Sequence, residues 1–103
     1  MLFFGALLLL PLIAEAREIP TEQTTDVTGL ITRQGTNLVL SNSGDLIVYN
    51  GRRFPVKGIW VWPEFTDGKK VRRAAGTNTP VILHGRFKWK EAPMNHMIFV
   101  EEG

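Results

Sequence analysis

Residues 81–90 alternate almost without a break: Val81, Leu83, Phe87 and Trp89 fall on one parity, and His84, Arg86, Lys88 and Lys90 fall on the other. A period of two over that length is the pattern of a half-buried β-strand, with one parity facing a core. Shorter runs of the same texture precede and follow it. Val27–Arg33 is rich in Thr and β-branched residues and contains Gly29, which suggests a bulge or a sharp coil. Leu38–Ser41 and Leu46–Tyr49 are further strand candidates, separated by the turn Asn42–Asp45. Asn50-Gly51 is a strong hairpin signal, because both residues tolerate the positive φ of a type I′ turn. Arg52–Trp62 resumes the strand pattern, with Pro55 making its first part an edge or a bend. His96–Glu102 closes the series.

Residues 63–70 are the least β-like and have room for a helical turn before Asp67-Gly68, while Val71–Gly76 is ambiguous between strand and helix. Turn signals recur every eight to fifteen residues, and no extended amphipathic helix is evident. The pattern predicts an all-β fold, a small barrel or sandwich of five or six strands. Closure into a barrel is the best way for so short a chain to remove exposed edges.

The first sixteen residues stand apart. Leu2 to Ala14 is an uncharged apolar run of thirteen residues broken only by Pro11, and it leads into Ala14-Glu15-Ala16. That small-x-small ending is of the kind a signal peptidase cleaves after. The run is too short for a membrane-spanning helix, which needs about 20 residues. It departs from a standard signal in having no Lys or Arg ahead of it. The expectation is therefore a signal peptide over 1–16, a flexible polar lead-in over 17–26, and a barrel domain over 27–103. No stable membrane span would remain after cleavage, and the mature chain would be periplasmic or secreted. The other reading of the run is a buried N-terminal helix, for which the chain offers no second helix as a packing partner.

With 103 residues, 44% of them apolar, the chain has the composition of one globular domain. It contains no cysteine, so the core must hold the fold without disulfides or a thiolate metal site. "DVTGLITRQGTNLVLSN", "DGKKV" and "PVILHGRF…HMIFVEE" resemble the layout of small bacterial exported OB-fold proteins, with Gly29, Gly68-Lys69-Lys70-Val71 and Gly85 in corresponding places. The resemblance implies an OB-like barrel that binds a ligand on its open face, and it implies no catalytic residue.

The chemistry available is narrow. Ser41 and Ser43 are the only serines, and no G-x-S-x-G elbow surrounds them. His84 and His96 lie on neighbouring predicted strands and could come close across a hairpin, but a third ligand would have to come from Glu91, Glu101 or Glu102. They lack the spacing of a zinc motif, and strand histidines are more often surface residues. There is no P-loop or G-x-G-x-x-G phosphate cradle. The expectation is no enzyme, no metal and no cofactor.

Charge changes the picture most. The net charge is +2, rising to +3 if Glu15 is removed with the leader. Between Arg33 and Lys90, however, eleven basic residues face three acids, a local excess of +8. Such segregation predicts a positive belt suited to an anionic ligand or an acidic envelope or protein partner. Trp60 and Trp62 share one face of their strand and Ile59 and Val61 the other. Either both faces are covered, with Trp60, Trp62 and Trp89 filling the core, or the tryptophans are partly exposed. Exposed aromatics beside Arg and Lys are how OB folds hold single-stranded nucleic acid, a partner that export disfavours. The candidate ligand-binding residues are Arg52, Arg53, Trp60, Trp62, Arg72, Arg73, Arg86 and Lys88. Three readings follow: an exported binding module for an anionic ligand, a single-stranded nucleic-acid binder, or a secreted interaction protein without a small ligand.

Overall fold

A computed structural model describes residues 16–64 and 68–103. The apolar run expected as an export signal therefore lies outside the described residues up to Glu15. The described residues form eight strands and one short helix: β1 (Arg17–Pro20), β2 (Thr25–Gln34), β3 (Asn37–Ser41), β4 (Asp45–Tyr49), β5 (Arg52–Pro55), β6 (Ile59–Pro63), α1 (Lys69–Ala74), β7 (Val81–Lys90) and β8 (His96–Glu101).

Five of the strands close a barrel in the order β2-β3-β6-β8-β7. Strand β6 runs parallel to β8, and every other barrel pairing is antiparallel. With α1 inserted between the third and fourth barrel strands, the architecture is OB-like. The helix resolves the ambiguous segment 71–76, burying Val71 and Ala74 on the barrel core and exposing Arg72 and Arg73.

Two glycines make closure possible, and both were legible as interruptions of strand patterns. Strand β2 pairs with β7 from Thr25 to Gly29 and with β3 from Leu30 onward. Strand β7 pairs with β2 up to Gly85 and with β8 from Gly85 onward. Each strand thus changes partner at a glycine, where the sheet must coil most sharply. A Cβ at Gly85 would stand 2.0 Å from the Val100 carbonyl oxygen, and one at Gly29 would stand 2.6 Å from that of Ser41. No side chain fits at either place.

The inward parity of the barrel strands supplies Val27, Ile31, Leu40, Ile59, Val61, Leu83, Phe87, Met97 and Phe99, all buried. Phe87 and Phe99 are opposite one another across β7–β8 and meet edge to face, with ring centroids 4.9 Å apart. Glu101 also takes an inward position at the end of β8 and is 1% exposed; its Oε2 accepts a hydrogen bond from the Gly103 N–H.

The remaining strands form a second sheet, β1-β4-β5, with β1 parallel to β4. The chain enters and leaves it where β2 and β6 begin and β3 ends, so it covers the barrel mouth opposite α1. Ile19, Ile47 and Val56 join the barrel core from this side. Tyr49 stacks on Trp89 at 5.0 Å, and Phe54 leans on the same indole at 5.8 Å.

Here the structure differs from the expected lead-in over 17–26. Arg17–Pro20 is an ordered strand and Thr25-Asp26 open β2. Four residues carry too little pattern to announce a strand, and the parallel partner that recruits them, β4, lies 28 positions away in register. Ile19 is the apolar anchor, buried at 3% exposure, and Arg53 adds a hydrogen bond to Glu18 at 3.1 Å.

Candidate functional site

Strand β6 carries Ile59 and Val61 into the core, so Trp60 and Trp62 must point outward. Register then decides what surrounds them. Trp62 is opposite Val100 on β8, and Val100 is opposite Arg86 on β7. Trp60 is opposite Ile98, and Ile98 is opposite Lys88. One rung further, His96 is opposite Lys90. The outer face of β6-β8-β7 is thus built in rows of aromatic, aliphatic and cationic side chains.

Ile98 and Val100 are almost entirely covered although they face outward, in rows flanked by the tryptophans of β6 and the long basic side chains of β7. Trp62 is 38% exposed and Trp60 is half-buried, its ring meeting His96 edge to face at 4.9 Å. The Lys90 Nζ sits over the Trp62 ring, 4.9 Å from its centre. Trp62, Lys88, Trp89, Lys90, Ile98 and Val100 line a hollow of about 380 Å³ on this face together with Glu64 and Glu91. Glu64 accepts a hydrogen bond from Arg86 Nη2 at 3.3 Å. Among the described residues no carboxylate pairs with Lys88 or Lys90. The other flank of Trp62 borders a smaller hollow, about 200 Å³, that contains Arg33 and Arg72.

Of the predicted site residues, Trp60, Trp62, Arg86 and Lys88 come together on this face, and Arg72 borders it. Arg52 and Arg53 do not join them: they stand on β5 in the second sheet, where Arg53 is engaged by Glu18. Arg73 is exposed on α1 beside Thr77 and Thr79. The expected belt is therefore divided among the outer barrel face, the capping sheet and the helix. Charges scattered over one stretch of chain need not share a surface once strands run in opposite directions.

The tryptophans also divide. Trp60 and Trp62 are on the outer surface, whereas Trp89 keeps the inward parity of β7 and packs against the core at the barrel mouth. Lys90 is the cation that belonged with Arg86 and Lys88; the alternation of 81–90 already placed it on their parity. Ile98 and Val100 could not have been found, since nothing local announces that β8 lies parallel beside β6.

The histidines do not meet. His84 is opposite Asp26 on β2, its Nδ1 2.7 Å from Asp26 Oδ1, while His96 begins β8 beside Lys90. His96 Nδ1 is 2.7 Å from the Met94 carbonyl oxygen, which can only accept, so Nδ1 carries the hydrogen. Its Nε2 is buried without a hydrogen-bond partner. Among the described residues no three His, Asp or Glu side chains are grouped closely enough to hold a metal ion. The Ser41 hydroxyl accepts a hydrogen bond from the Gly58 N–H, fixing the entry to β6.

Compared with known protein families, with characterised proteins and with solved structures, the chain matches none of them.

Proposed function

We propose that this chain is a non-catalytic β-barrel binding module that holds an anionic ligand on the outer face of β6-β8-β7, and that it acts in the periplasm or outside the cell. The observation that carries the binding reading is the register that sets Trp60 and Trp62 across β8 from Arg86 and Lys88, over an Ile98–Val100 floor. Stacking on an exposed indole, with cations across the intervening strand, suits a ligand that has both flat apolar faces and negative charge. Export rests on the apolar leader and on the Ala14-Glu15-Ala16 ending. The non-catalytic reading rests on the narrow set of nucleophiles, with the Ser41 hydroxyl engaged by the Gly58 N–H at the entry to β6.

Binding is tested by following tryptophan fluorescence while titrating an acidic polysaccharide, polyphosphate, polyglutamate and a thymidine dodecamer. Saturable quenching by one of these, weakened by Lys88→Ser and Trp62→Ala, supports the reading. If replacing Arg72, Arg73, Arg86 and Lys88 together by Ser leaves every titration unchanged, the basic face serves solubility alone. The outward placement of two tryptophans on one strand favours single-stranded nucleic acid as the second reading. Its mark is a steep loss of affinity with salt, as counterions are released from phosphates. Mass spectrometry of the N terminus in the native host tests export, and an intact Met1 on cytoplasmic protein would overturn it.

A further inference from the structure

A second concavity lies at the barrel mouth and shares Trp89 with the hollow over Ile98 and Val100. It is a groove of about 430 Å³ between the β5–β6 turn, the end of β7 and the β7–β8 loop. Its walls are four rings, Phe54, Trp60, Trp89 and the His96 imidazole, and two thioethers, Met94 and Met97. The volume falls within the range of small-molecule sites, about 300–1,000 Å³.

Two features say what would occupy it. Aromatic rings and methionine sulfurs both favour contact with another flat aromatic body, and methionine adapts to its outline. Lys57 stands at the groove, exposed, while no carboxylate lines it. Among the described residues no acid pairs with Lys57 either. Apart from the His96 ring the site is apolar in its body, and it is positive at one edge.

We infer that the groove binds a small aromatic carboxylate, its ring between Trp60, Trp89 and the two methionines and its carboxylate toward Lys57. This site uses β5, the β7–β8 loop and the start of β6; it shares Trp60 with the outer-face site, whereas Lys57 and Met94 belong to the groove alone and separate the two readings. Met94 is 55% exposed and forms one wall without holding up the core, which makes it a clean point of attack.

The probe is 2-naphthoate, titrated into the full chain carrying ¹³C-methyl methionine. The expected result is saturable one-to-one binding, with ring-current shifts of the Met94 and Met97 methyl resonances. The neutral 2-naphthylmethanol should bind about two- to fivefold more weakly, the size of an exposed charge pair. Lys57→Gln should erase that difference, and Met94→Glu should weaken naphthoate by about tenfold through lost apolar contact and repulsion. Ile82→Ser, on an exposed apolar side chain of β7 opposite Thr28 of β2, should change nothing. Absence of saturation, equal affinity for acid and alcohol, or methyl shifts that avoid Met94 and Met97 would each overturn the inference. So would a dimer that Met94→Glu dissociates, since the groove would then be filled by a second copy. Should Met94→Glu fail to fold by circular dichroism, the Lys57→Gln comparison and the wild-type methyl shifts still decide.

Discussion

Lys90 and Trp62 stand on different strands, two apart in the barrel, yet the Lys90 ammonium lies 4.9 Å from the centre of the Trp62 ring. The strand between them, β8, contributes the Ile98 and Val100 floor over which they meet. This contact turns an exposed indole into an ordered, positively framed platform. A double-mutant cycle with Trp62→Ala and Lys90→Met should give a coupling of about 0.5–1 kcal/mol in urea unfolding, the size of a surface cation–π pair. Additive losses would mean that the two side chains merely lie near each other.

Closure of the barrel depends on Gly85. Gly85→Ala forces a methyl group into the Val100 carbonyl at 2.0 Å, against backbone that cannot yield without parting β7 from β8. The loss should exceed about 4 kcal/mol, enough to unfold much of a marginally stable domain. Gly44→Ala, with no atom within 4 Å of the new carbon, should change stability by no more than about 0.5 kcal/mol. Thermal melts of the two variants provide the comparison.

Ile19 is what ties the N-terminal strand to the rest. Ile19→Ala should cost about 2–5 kcal/mol locally. Hydrogen exchange should show the loss first in the β1–β4 ladder, which Ile19 shares with Ile47, while amides of β7 and β8 keep their protection. Uniform loss of protection across both sheets would show that the cap and the barrel unfold as one unit.

At the centre of the core, Phe87→Ala should destabilise the barrel by about 3–5 kcal/mol, because the cavity it leaves lies against Phe99 and cannot collapse within a closed sheet. Phe87→Leu keeps most of the volume and should cost less than half as much. Urea midpoints at constant slope measure both.

The pair His84–Asp26 offers the opposite expectation. Both side chains are more than half exposed, so water and salt screen their contact despite its 2.7 Å length. Asp26→Asn should shift stability by less than about 1 kcal/mol. A larger loss would assign the pair a part in holding β2 to β7.

Much of the barrel was legible because its signals are local. The alternation of 81–90, the Asn50-Gly51 turn and the parity of Ile59 and Val61 each act within a few residues, and each survives in the fold. Gly29 and Gly85 were visible as breaks in strand patterns, although only the pairing shows why: both are where a strand changes partner. The helix over Lys69–Ala74 was ambiguous since six residues satisfy neither period, and its burial against the barrel core decided for helix. Strand β1 was missed because its only apolar residue, Ile19, needs a parallel partner that no local pattern announces.

The sequence by itself determined that this is a cysteine-free, mostly β chain with one core parity per strand, an excess of basic residues and tryptophans on a single strand face. Those are properties of composition and of a period of two, which neighbouring residues enforce on one another. Which charges share a surface was decided only by the tertiary structure. Parallel pairing of β6 with β8, and antiparallel pairing of β8 with β7, brought Trp60 and Trp62 to Arg86, Lys88 and Lys90 and sent Arg52 and Arg53 elsewhere. Register between distant strands is fixed by the fit of inward side chains such as Phe87 and Phe99, and the outer face inherits whatever arrangement that fit imposes.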